Sequence, residues 1–286
     1  MSKIRFQAKL QGRRMLTGKW RHAILITFLF VLLVLGVSLL EKALRTSLHI
    51  PQLDSHMLLN MDPRSALISG VFCVVTFLVI TPLTTGQTEW YWHLAQNKER
   101  PIGDVLGWFG SLRLYGKSIL LGLQIIWRMA LWGLAVYAAP IVLMLIDEFI
   151  LGYESLPSAI LYLVAMVLIL VGSVFLTFIA MRYFLAVYLL VEKASRKTTD
   201  CVKASVRYSR SFRWEIFKFQ WSFIFWWLLC YLFIPIFYVY PYYSISSVEL
   251  ARHVLATKRT KRIEGEDGVI AQVTLKEDQE NSSNTQ

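Results

Sequence analysis

Two arginines and a glutamine, set in otherwise apolar stretches, are the residues of this chain best suited to bind something. Gln124 and Arg128 stand four residues apart within Ile119–Ile146, and Arg182 lies eight residues before the end of Ser158–Leu190. The planar fork of arginine donates two parallel hydrogen bonds to a phosphate, a geometry lysine does not reproduce. An arginine near the middle of a bilayer costs at least about 2.5 kcal/mol on insertion scales, so two of them ask for a reason. If the first stretch leaves one membrane face and the second returns to it, Arg128 and Arg182 reach matching depths of roughly 12–14 Å at 1.5 Å per residue. In one reading each side chain extends independently to the headgroups. In the other they share an anion, a lipid phosphate, with a hydrogen bond from Gln124 and with Glu192 as a candidate counter-ion.

Catalytic chemistry has less to stand on. The five histidines, His22, His49, His56, His93 and His253, are scattered, and none lies in a nucleophile motif. His49, Asp54, His56 and Asp62 share one loop, but Pro51 and Pro63 interrupt it and no tight-turn or helical spacing converges them on a metal. The spans hold almost no acids, and no motif for a cofactor is present. The expectation is a protein that is not an enzyme and carries no metal or cofactor. Three cysteines give no disulfide framework; Cys73 and Cys230 read as packing residues and Cys201 as an exposed thiol.

The elements that would position these groups are membrane helices. The 286 residues are 56% hydrophobic and 17% charged, below the roughly 25% charge of a soluble domain. Five apolar blocks, Ala23–Leu40, Ala66–Leu83, Ile119–Ile146, Ser158–Leu190 and Phe219–Ser247, are long enough for a hydrocarbon core of about 30 Å. The class expected is all-α: a polytopic transmembrane bundle, residues 1–262, with short interfacial amphipathic helices and a polar, disordered tail over 263–286. The fourth block, about 50 Å if wholly helical, must tilt, kink near Gly172–Ser173 or project beyond the membrane. Pro235 and Pro241 should break the fifth, so that it dips or crosses twice in short pieces. In the second block Ser65, Ser69, Cys73 and Thr76 form a small-residue stripe suited to close helix packing.

The net charge of +11 is concentrated between the blocks. Residues 1–22, 84–118 and 191–218 hold seven, four and eight Lys or Arg, against three in 41–65 and none in 147–157. The positive-inside rule places the first three regions in the cytoplasm. No basic region forms a separate domain with a nucleic-acid reading motif, so no nucleic acid is expected as partner. The expected partners are the lipid bilayer, with its anionic phospholipids, and other membrane proteins. Amphipathic helices are predicted over Ile4–Leu16, Val105–Tyr115 and from Thr199 or Asp200 through Tyr208, and an interfacial one over Val248–Thr257. Tyr238, Tyr240, Tyr242 and Tyr243 read as interface anchors.

Several short runs, in order, carry a family resemblance. Leu16–Thr17–Gly18–Lys19–Trp20 precedes the first span; Gly86 through Leu94 and Trp108–Phe109–Gly110 follow the second. Ala204–Ser205, Phe217, Ser222–Phe223 and Pro241–Tyr242 close the series. Over most of residues 1–255 the chain resembles the bacterial integral-membrane domain-of-unknown-function family 975. The Arg182–Ser205 stretch is more loosely similar to the membrane domain of some glycerophosphodiester phosphodiesterases, without their catalytic domain. Neither resemblance implies a catalytic residue. The function expected is a non-catalytic scaffold or lipid-linked role in the bacterial cytoplasmic membrane; the alternative is a transporter or exporter of a small anionic solute or lipid.

Overall fold

A computed structural model describes residues 2–49, 63–98, 100–147 and 156–283. Four helices are long and apolar enough to span a membrane: α2 (Trp20–Ser47), α3 (Pro63–Leu94), α4 (Leu112–Ile146) and α5 (Leu156–Ala180). Before them lies α1 (Ser2–Leu16). After them come α6 (Ala186–Glu192), α7 (Thr198–Ser209), α8 (Arg213–Trp221), α9 (Ile224–Leu229) and the long α10 (Ile236–Ser283). Among the described residues the fold is all-α. Asp54, His56 and Asp62, three of the four loop residues weighed as metal ligands, lie outside the described residues.

The spans pack where small residues let backbones approach. A methyl group on Gly172 of α5 would sit 2.7 Å from Val136 Cγ1 of α4, and beside it Tyr137 and Ser173 share a hydrogen bond of 2.9 Å. Gly122 of α4 meets Phe77 and Thr81 of α3 in the same way. At the far end of α2 and α3 the buried Arg45 pairs with Glu41 at 2.9 Å and donates to Ser65 Oγ at 2.9 Å and Ser69 Oγ at 2.5 Å. The first half of the small-residue stripe is therefore a docking site for Arg45, while Cys73 further along is exposed. Only 6% of the apolar window is buried within the chain in α4 and in α5, and 22% in α2 and in α3. Leu134, Leu163 and Leu170 face outward, as suits helices whose surroundings are as apolar as their side chains.

The aromatic core lies instead at the end of the bundle that gathers the basic segments. Trp90, Tyr91, Trp92 and Leu94 of α3, Trp108 in the turns before α4, Leu185, Leu189 and Leu190 before and within α6, Val202 of α7 and Val248, Ala251 and Val254 of α10 are all buried in one cluster. Helix α3 runs unbroken through Leu94, well past the predicted end of its span. The amphipathic helix expected over Val105–Tyr115 is instead a 3-10 turn, Ile102–Leu106, with turns through Gly107 and Gly110 before α4 starts at Leu112. The turn is seated on Gly86, where a Cβ would lie 2.0 Å from the Val105 carbonyl oxygen. Trp108 Nε1 donates to Glu89 at 2.6 Å and Trp90 Nε1 to the Arg100 carbonyl at 3.2 Å.

The fifth apolar block does not form a single helix long and apolar enough to span a membrane. It forms α8 and α9, then a turn with Phe233 at φ 62°, and returns as α10. Pro235 makes the break, having no N–H to continue a helix. Pro241, expected to break it too, sits within α10. The tip is apolar and exposed at Phe225, Tyr231, Leu232 and Ile234, and the ring of Phe233 closes on Phe237 at 5.9 Å. The returning leg lies against α2 and α3: Tyr238 stacks on Trp20 at 4.9 Å, and Tyr240 donates to Gln87 Oε1 at 2.7 Å. Tyr243 donates to Gln220 at 2.7 Å, so these tyrosines tie helices together as well as lining an interface. Further on, Val248–Thr257 is core, with Val248, Leu250, Ala251, Val254 and Leu255 buried. The polar tail, for which composition predicts disorder, is traced as helix to Ser283.

Four crossings leave α1 and α10 at one end, where they pack along each other. Gly12 makes the approach possible, since a Cβ there would lie 2.8 Å from Ser246 Oγ and 3.2 Å from Ser246 Cα. Gly12→Leu is expected to undock α1. Limited proteolysis should then cut near Thr17–Lys19 at least tenfold faster, the effect of losing about 1.4 kcal/mol of local stability; an unchanged rate would show that α1 docks without this contact.

Candidate functional site

The site residues named from the sequence are arranged around a break in the fourth apolar block. Helix α5 ends at Ala180, not at Gly172–Ser173, and Met181–Leu185 forms tight turns. The N–H groups of Arg182, Tyr183 and Ala186 donate to the carbonyls of Ile179, Ala180 and Tyr183, each three residues back. Met181, Tyr183 and Leu185 are buried, so the break is packed on its apolar side. The Arg182 carbonyl, released from the helical ladder, accepts from Ser205 Oγ at 2.8 Å and from Ser209 Oγ at 3.2 Å. Both serines are fully buried. Helix α7 supplies them on one face, where Thr198, Cys201, Val202, Ser205 and Ser209 are buried and Lys203, Arg207 and Arg210 are exposed. Cys201 is thus a core residue, not an exposed thiol, and burial raises its pKa.

The same helix reaches α4. Gln124 Nε2 donates to Thr198 Oγ1 at 3.2 Å, while Gln124 Oε1 is buried with no hydrogen-bond partner. Arg128 donates to the Gln124 carbonyl at 3.3 Å. Arg182 lays its guanidinium over the Trp132 ring, 5.7 Å from the centroid. Gln124, Arg128 and Trp132 follow at i, i+4 and i+8, so all three named residues meet one stripe of α4. Glu192 is not their counter-ion. It pairs with Arg196 at 3.5 Å and with Arg259 of α10 at 2.5 Å.

A second arginine cluster escaped the sequence reading. Ser209 is followed by Arg210 and, one short turn on, by Arg213 at the start of α8. The pKa of Arg213 is lowered, first by burial and then by the charges of Arg182 and Arg210. The Nε atoms of Arg182 and Arg213 are both buried and have no hydrogen-bond partner. Among the described residues no carboxylate lies within ion-pair distance of Arg182, Arg210 or Arg213. Glu215, the acid nearest in sequence, is held by Arg5 of α1 at 3.2 Å. The signal available was the density of basic residues in 191–218; which of them converge depends on the turn between α7 and α8.

A polar cavity of about 740 Å³ also opens at the basic end, between α1, the end of α3, α6 and α10. Arg14, Gln96, Asn97, Glu192, Arg252 and Arg259 are among its lining residues. Two of its three arginines are already engaged, Arg252 by Glu249 at 2.7 Å and by the Ala95 carbonyl, Arg259 by Glu192.

No curated protein and no solved structure matches the chain, so the looser likeness to the phosphodiesterase membrane domain finds no support. The model of a family described as a protein of unknown function, DUF975, matches residues 1–258. That match takes in all four spans, the Arg182 break and the core of α10, and the chain belongs to this family.

Proposed function

We propose that the chain is a non-catalytic, multi-pass protein of the bacterial cytoplasmic membrane, a scaffold that engages anionic lipid headgroups and other membrane proteins. What supports this reading above all is where burial lies. The spans keep most of their apolar surface outward, whereas the aromatic core and the polar cavity both sit at the basic end. Such a molecule presents its spans to lipid or to other helices and its built face to the headgroup region. The excess of Lys and Arg in 1–22, 84–118 and 191–218 supports a cytoplasmic side for that face, and four candidate crossings would return the tail to the same side. Gln124, Arg128 and Arg182 are the span residues offered to inner-leaflet phosphates.

The orientation is tested by a reporter active only outside the cytoplasm, fused after Thr257; it should be silent. Ser47→Cys in a chain stripped of its native cysteines should react with an impermeant thiol reagent on intact cells. A bright reporter, or labelling only after lysis, contradicts the orientation. Saturable flux of a small anion through reconstituted vesicles would replace the scaffold reading with transport.

A further inference from the structure

We propose that Arg182, Arg210 and Arg213 hold the phosphate of an anionic phospholipid whose acyl chain lies in the apolar groove between α5 and α8. The groove, about 440 Å³, is walled by Leu170, Val174, Phe175 and Phe178 on one side and Trp214 and Phe217 on the other, among wholly apolar side chains. The Phe178 ring meets those of Trp214 and Phe217 at 6.3 and 5.8 Å. From that contact both helices lead to the arginines: Arg182 is four residues beyond Phe178, and Arg213 immediately precedes Trp214. The groove follows α5 for eight residues, about 12 Å, close to the thickness of one leaflet, about half of 30 Å.

Charge complementarity specifies the occupant. Three guanidinium groups without a carboxylate partner are gathered at the inner end of a channel that offers an apolar tail everything and a polar peptide nothing. Two of the three present a buried N–H with no acceptor among the described residues. A phosphate oxygen supplies that acceptor, charge-assisted and bidentate, and relieves repulsion among the arginines. Lys218, over the Trp214 ring at 5.0 Å, adds a further cation on the same wall. A zwitterionic lipid carries the same phosphate but a cationic head that these groups repel, so selectivity for a net negative headgroup follows. The site uses Arg182 differently from the α4 stripe, sharing it with α8 instead of with Arg128, and its placement in the inner leaflet rests on the orientation proposed above.

The test is lipid retention. Full-length protein, purified in mild detergent and exchanged into vesicles of equal phosphatidylglycerol and phosphatidylcholine, is re-extracted and its bound lipid is counted by native mass spectrometry. Wild type should retain phosphatidylglycerol in preference. Arg210→Gln, at an exposed position, and Arg213→Gln should each lower that retention about tenfold, the effect of one charged hydrogen bond. Val174→Trp, which fills the groove and touches no arginine, should lower it as much. Lys42→Gln, an exposed cation near the far end of α2, should leave it unchanged. Equal retention in wild type, Arg210→Gln and Val174→Trp overturns the site. Loss with Arg128→Gln alone assigns the lipid to α4 and overturns it too. Loss with the arginine variants alone, accompanied by inorganic phosphate binding that Val174→Trp spares, would make the ligand a soluble anion. The reporter after Thr257 reads independently: a bright reporter with arginine-dependent retention removes the orientation and keeps the site.

Discussion

Gly86→Ala is expected to lower stability by about 3 kcal/mol, at the upper end of the usual cost of overpacking. The added Cβ would lie 2.0 Å from the Val105 carbonyl oxygen and 2.9 Å from the carbonyl carbon, with Trp108 Cδ1 at 3.4 Å. Backbone atoms of a short 3-10 turn cannot swing aside as the end of a side chain can. The turn would have to leave α3, and with it the Trp108–Glu89 hydrogen bond and the buried Val105 would go. Detergent-solubilised protein should melt roughly 6–12 °C lower. Gly133→Ala is the matched control: it is also helical, but a Cβ there meets nothing within 4 Å, so it should be neutral or stabilise slightly through helix propensity. Equal melting of the two variants would mean that the turn is not seated on Gly86.

The second large effect should come from Ser205 and Ser209 together. Each donates to the same carbonyl, that of Arg182, which the break after α5 has removed from the helical ladder. Ser205→Ala leaves Ser209 in place, and the reverse holds, so each single change should cost about 0.5–1.5 kcal/mol. The double change leaves a carbonyl beside buried residues with no donor from α7, adding a desolvation penalty of about 1–3 kcal/mol. The pair should therefore cost more than the sum of its parts in a double-mutant cycle. Strict additivity would show that the two serines do not act on one acceptor.

What the sequence made legible follows from which forces act locally. Four apolar runs became four spans because hydrophobic length alone commits a helix to a bilayer. The fifth run, also apolar but rich in Trp and Tyr, did not, because Pro235 and the left-handed Phe233 divide it; the proline was legible, the backbone at Phe233 was not. Composition made the tyrosines of 238–243 look like interface anchors, but Tyr240 found Gln87 on α3, far away in the chain, and Tyr243 found Gln220 on the neighbouring α8. Arg128, Gln124 and Arg182 stand out in sequence because a charged or amide side chain in an apolar run is conspicuous. Arg210 and Arg213 do not stand out, since a basic loop is full of arginines and only the α7–α8 turn selects these two. Arg45 was overlooked for a related reason: at the end of a span it reads as solvated, whereas Ser65 and Ser69 bury it.

The docking of α1 against α10 has a consequence for how the molecule is made. On a ribosome adding roughly 5–20 residues per second, the interval between Leu16 and Val248 leaving the decoding site is on the order of 10–50 seconds. Throughout it α2 to α5 are inserting while α1 waits without its partner, its basic face free to rest on the membrane surface. The aromatic cluster cannot close until nearly the whole message has been translated, because Ile245, Val248, Ala251 and Val254 belong to it. A chain released early, after Pro235, would be fully threaded through the bilayer and yet uncored, carrying an exposed Gln87 and an unmatched Trp20. Membrane proteases that survey the basic end of the bundle would meet that chain as unfinished, whatever the state of its spans.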